Sequence, residues 1–104
     1  MITRIVKLEF QNEKVEEFLS FFENIKYDVN NYTGCYGMQL LQDKSNPAII
    51  FTYSLWESDA ALDNYRNSNV FGQIWPRIKP WFASKPEAWT LTNYFSGMQY
   101  QSSN

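Results

Sequence analysis

Residues 48–56 read AIIFTYSLW. Alternate positions put Ile49, Phe51, Tyr53 and Leu55 on one face and Ile50 and Trp56 on the other. Strand side chains point alternately to the two sides of a sheet, so a strand apolar on both faces needs cover on both. Just upstream, residues 35–43 (CYGMQLLQD) are joined to it by Lys44-Ser45-Asn46-Pro47, a cluster of turn-forming types. The pair reads as an antiparallel hairpin.

Working outward, residues 2–10 (ITRIVKLEF) place Ile2, Val6, Leu8 and Phe10 at even positions. Thr3, Lys7 and Glu9 alternate with them, and Ile5 interrupts. That period of two is a strand, with Arg4 the exception on its apolar face. Asn12 is positioned to cap a helix whose first turn holds Glu13, Glu16 and Glu17. Val15, Phe18, Leu19, Phe22 and Ile25 recur at helical spacing, which predicts a helix over 13–29. Downstream of the hairpin, Ser58 caps a helix starting at Asp59, with Ala61, Leu62 and Tyr65 on its inner face. Phe71, Ile74, Trp75, Ile78, Trp81 and Phe82 form a further helical stripe, which Pro76 and Pro80 should kink or restart. A last strand is expected over 87–95 (EAWTLTNYF), followed by a polar tail over 96–104.

The order β-α-β-β-α-(α)-β predicts an α+β, ferredoxin-like domain over residues 1–95, a four-stranded antiparallel sheet with helices on one face. Ile5, Phe51, Tyr53 and Leu55, joined by Leu41, then fall on the opposite face. A second copy of the chain, packed through an isologous two-fold interface, is the simplest cover for it, so a homodimer is expected.

Composition narrows the chemistry. The 104 residues carry 9 Lys+Arg against 11 Asp+Glu, a net charge of −2, and 18% are aromatic. Such a chain buries roughly two-thirds of its unfolded surface and folds as one domain. There is no histidine. Its absence removes the commonest metal ligand and the one side chain with an ordinary pKa near 7, and with them histidine-based nucleophilic triads. The single cysteine, Cys35, leaves no intrachain disulfide and has no neighbouring base or cation to make it a reactive thiolate. It reads as a small buried apolar residue. Arg77, Lys79 and Lys85 are too few for a nucleic-acid surface. No phosphate loop, dinucleotide fingerprint, nucleophile elbow or zinc-spaced cluster occurs, so no metal or nucleotide cofactor is expected. No membrane-length apolar run or signal-peptide pattern is present, and a cytoplasmic location is expected. The Asn31-Tyr32-Thr33 sequon then carries no weight.

Gly34-Cys35-Tyr36-Gly37 enters the second strand and Trp56-Glu57-Ser58 leaves the third; Ala61, Leu62, Tyr65, Ser68 and Phe71 follow. With these residues, over about 1–95, the chain resembles the antibiotic-biosynthesis-monooxygenase family of dimeric α+β barrels. The resemblance implies the fold strongly and the chemistry weakly, since the family includes cofactor-free oxygenases of polycyclic phenols, quinol oxygenases and heme-degrading enzymes. The heme-degrading set of Asn, Trp and ligating His falls here on Arg4, Tyr65 and Trp75, and none matches. The resemblance therefore implies no heme.

Arg4 and Tyr65 are the candidate catalytic residues, and Phe22, Trp56, Trp75 and Trp81 the candidate pocket. A fixed cation in a dry aromatic pocket favours a phenolate or hydroquinone anion, the form that gives an electron to oxygen most readily. The competing reading has Arg4 snorkelling to water and pairing with a surface carboxylate, and the aromatics packed as plain core. Two functions follow: a cofactor-independent monooxygenase of an electron-rich quinol or polycyclic phenol, or a non-catalytic small-molecule-binding homodimer. Tyr65 stands where many family members have His or Trp, and a phenol is a weak base near neutrality.

Overall fold

Four strands pair in the order β2-β3-β1-β4, every neighbour antiparallel, in a computed structural model that describes residues 1–98. They are β1 (Ile2–Glu9), β2 (Cys35–Gln42), β3 (Ile49–Trp56) and β4 (Glu87–Thr92). The helices are α1 (Val15–Asn30), α2 (Asp59–Arg66) and α3 (Asn69–Ile78). The doubly apolar β3 and the alternating β1 form the sheet centre, as a ferredoxin-like order requires.

The even positions Ile2, Leu8, Ile50 and Trp56 are buried under the helices with Phe18, Leu62, Ile74 and Ile78. The odd positions form the opposite face. Ile5 sits in register between Tyr53 on β3 and Trp89 on β4, and Thr3 between Leu55 and Leu91. Among the described residues no helix covers this side: Leu41, Trp89 and Leu91 are each more than 40% exposed.

The helix starts show what local sequence controls. Ser58 Oγ accepts the Ala61 N–H at 3.1 Å and Ser68 Oγ accepts the Phe71 N–H at 3.2 Å, two side-chain caps that start α2 and α3. Asn12, expected to cap α1, does not do so. It opens a 3₁₀ turn (Asn12–Lys14) preceding α1, and no side chain caps either element. The Gln11 N–H is instead bonded to the Trp81 carbonyl at 2.9 Å, so a tertiary contact sets where the helix begins.

Pro76 does not break α3, which runs to Ile78; the chain tightens into a 3₁₀ turn over Lys79–Trp81, at Pro80. The last strand stops at Thr92, short of the expected 95, because Thr92 pairs with Ile2 and β1 offers no further partner. The expected tail over 96–104 lies outside the described residues from 99 onwards.

β2 contains a bulge. Cys35 pairs with Trp56 but Met38 with Ser54, so three steps along β2 match two along β3. Gly37 lies within it at φ +123°, and the Met38 N–H is bonded to Asn30 Oδ1 at 3.0 Å. Among the described residues no helix is long and apolar enough to cross a membrane.

Candidate functional site

The helices do not close completely on the sheet. A cavity of about 550 Å³ lies between the even face of the strands and α1, α2 and α3. One wall is an aromatic run contributed by three elements. Trp56 meets Tyr65 with ring centroids 5.0 Å apart, Tyr65 meets Phe71 edge-on at 5.3 Å, and Phe71 stacks on Trp75 at 5.7 Å. Phe22 of α1 and Met38 and Leu40 of β2 add further apolar lining.

Arg4 also lines the cavity. Its even position in β1 aims the side chain at the helices, and its Nη1 donates to Thr90 Oγ1 at 2.8 Å, on the residue paired with it across β4. Partial burial lowers the pKa of the guanidinium below its ordinary value, Arg66 lowers it further, and Asp63 opposes the change. The side chain therefore sits in a less solvated and more positive setting than a surface arginine.

Tyr65 is 9% exposed and its ring touches Trp56, Tyr32 and Phe71. Burial pushes its phenol well above the ordinary tyrosine value, and Cys35 and Tyr32 reinforce the shift. The hydroxyl stays protonated at any physiological pH. It is suited to donating a hydrogen bond and unsuited to removing a proton.

Arg4, Tyr65, Phe22, Trp56 and Trp75 thus share one cavity. Trp81 is not part of it. The 3₁₀ turn at Pro80 changes the helical phase after Ile78, and Trp81 is buried edge-on against Phe21 at 6.1 Å. Cys35 is partly buried and its thiol is raised by that burial, a setting that disfavours the thiolate.

Arg66, Lys79 and Lys85 also line the cavity; the sequence reading passed over Arg66 and weighed Lys79 and Lys85 only as a nucleic-acid surface. They lie on three separate segments, so no local pattern marks them. Nor did it identify Ser54, the buried polar residue that accepts the Trp56 indole N–H.

A family model described as antibiotic biosynthesis monooxygenase matches residues 1–76. Among solved structures, one described as an antibiotic biosynthesis monooxygenase superposes with TM-score 0.84 at 17% identity, covering 89% of this chain and 98% of its own. A conserved protein from Methanosarcina mazei gives TM-score 0.80 at 24% identity, with 86% and 90% covered. A Caulobacter crescentus protein carrying the family's name gives 0.77 at 25% identity, with 86% of each chain covered. No curated protein matches.

Proposed function

We propose, from the premise that this chain belongs to the antibiotic biosynthesis monooxygenase family, that it is a cofactor-independent oxygenase of an electron-rich phenol or quinol bound in the cavity. The observation that carries this reading is the partly buried Arg4 guanidinium, which reaches further into the aromatic-walled site than the exposed basic residues at its rim. A fixed cation in a poorly solvated site stabilises the substrate anion as it forms. That anion gives one electron to oxygen, leaving a substrate radical beside superoxide. Their recombination forms a C–O bond at a carbon bearing hydrogen, and loss of water from the hydroperoxide leaves a carbonyl. One oxygen atom enters the product and the other leaves as water, with all electrons supplied by the substrate. Tyr65 orients the substrate oxygen as a hydrogen-bond donor, Trp75 stacks on its ring, and Phe22 and Trp56 bound the pocket. Residues 1–95 form the working unit, and two copies pair through the exposed sheet face around Ile5, Tyr53 and Trp89.

Oxygen uptake across a panel of hydroquinones and anthrone-like phenols, corrected for autoxidation, tests the reading. Uptake with a single oxygenated product is expected, and Arg4→Ala should lower kcat/KM by about 10- to 100-fold. An unchanged kcat/KM in that variant removes Arg4 from the mechanism.

A second reading, a small-molecule-binding homodimer without turnover, is favoured by one specific observation. The chain has no histidine and Tyr65 is held protonated, so neither an imidazole nor a phenolate is on hand to take a proton from the ligand. Ligand-induced Trp fluorescence changes without oxygen consumption would support it.

A further inference from the structure

The charges around the cavity are segregated in a way the chain's composition does not suggest. Four of the nine Lys+Arg residues line it, namely Arg4, Arg66, Lys79 and Lys85, and none of the eleven Asp+Glu residues does, although the whole chain is net negative. They come from β1, the end of α2, the 3₁₀ turn after α3 and the segment before β4. Arg66, Lys79 and Lys85 are exposed, and Arg4 reaches further in. Arg66 pairs with Asp63 at 3.7 Å, but both side chains are well exposed to water (47% and 65% respectively), where such a pair does little to neutralise the guanidinium. An apolar cleft rimmed by one sign of charge concentrates the field at its mouth and recruits the opposite ion.

We propose that the ligand of this cavity is an apolar acid, an aromatic body bearing a group that is anionic at neutral pH, such as a carboxylate or sulfonate. Its rings lie inward against the Trp56–Tyr65–Phe71–Trp75 wall and its charge lies at the basic rim. The proposal rests on the cavity being the ligand site and adds what the ligand must carry besides an oxidisable ring. The cavity volume falls in the usual range for small-molecule sites, roughly 300–1,000 Å³. Arg4 and Arg66 repel each other, Asp63 offsets part of that repulsion, and an anion bound between them would offset more of it.

Anilinonaphthalene sulfonate and its uncharged parent, phenylnaphthylamine, share a ring skeleton and differ by one anionic group. Titration of the full chain with each, followed by probe emission and Trp quenching, is expected to show the sulfonate binding at least about tenfold tighter in low salt. The preference should narrow as salt rises from about 50 to about 500 mM. The exposed pair of changes Arg66→Gln and Lys85→Gln should bring the two affinities within about threefold of each other, leaving the neutral probe unaffected. Lys14→Gln with Lys44→Gln alters net charge equally, away from the cavity, and should keep the preference. Equal binding of both probes overturns the proposal while leaving the cavity as a ligand site. Failure of both to bind overturns the cavity reading itself. A sulfonate preference that survives Arg66→Gln/Lys85→Gln overturns the proposal too, because the charge is then read elsewhere.

Discussion

Trp56 donates its indole N–H to Ser54 Oγ at 2.9 Å, two residues back along β3 and on the same face of the sheet. Ser54 Oγ in turn lies 3.5 Å from the Arg4 carbonyl it donates to, so one small hydroxyl links a tryptophan of the cavity wall to the strand carrying the cation. Trp56 is 1% exposed, and without this partner its N–H would be buried unpaired. Ser54→Ala is therefore expected to lower the unfolding free energy by about 1–3 kcal/mol, measured by chemical denaturation. A value near zero would mean that the indole finds another acceptor.

Gly34 has φ +85°, and a Cβ there would lie 2.7 Å from Ala61 Cβ in α2. Gly34→Ala should cost about 2–4 kcal/mol, combining the positive-φ strain with overpacking. Ala61→Gly alone should also destabilise, by about 1 kcal/mol, through helix propensity. Placed together, Ala61→Gly should stabilise the Gly34→Ala protein. Thermal or urea unfolding of the four chains checks this change of sign.

Tyr65 makes stability fall at alkaline pH. Its phenol ionises at a higher pH in the folded chain than in the unfolded one. Its contribution is fully present below about pH 10, the ordinary tyrosine value, and is lost as pH rises beyond it. In that window the loss from this group approaches about 1.4 kcal/mol per pH unit. Tyr65→Phe should flatten the alkaline limb of a stability–pH curve relative to the parent chain, even if it lowers stability at neutrality. Identical slopes would mean that Tyr65 ionises freely in the folded protein.

The proposed pairing of two chains through the uncovered sheet face gives a sedimentation test. Tyr53 and Trp89 flank Ile5 in register on that face. Burying an aromatic anchor is worth about 2 kcal/mol or more, and a two-fold axis repeats each substitution. Tyr53→Lys should raise the dimer Kd by about a thousandfold. A parent chain sedimenting as a monomer would contradict the pairing outright.

What was legible in the sequence follows the range of the interactions involved. The alternation of Ile2, Val6, Leu8 and Phe10, the helical spacing from Val15 to Ile25 and the cap at Ser58 are local, and they yield the element order and the sheet faces. Arg4 could be aimed at the helices from parity alone. The misplaced features depend on distant partners. Asn12 does not cap because Gln11 is held by Trp81, and Tyr94 and Phe95 extend no strand because β1 has ended. Trp81 left the expected pocket through a change from α to 3₁₀ geometry that its spacing from Ile78 does not reveal. The basic rim was invisible for the same reason, since Arg4 and Lys85 are far apart in the chain and meet only around the cavity.

The bulge in β2 has a consequence for insertions and deletions. Cys35 packs on the helix side from an odd position, Met38 and Leu40 from even ones, and the extra residue around Gly37 reconciles the two. Remove the extra residue and the ladder becomes regular, with Cys35, Met38 and Leu40 still on the helix side. Remove Gln39, beyond the bulge, and the rest of the strand changes parity: Leu40 turns outward and Leu41 turns beneath the helices. The bulge is thus the one place in β2 where a residue can be lost without exchanging the two sides of the sheet.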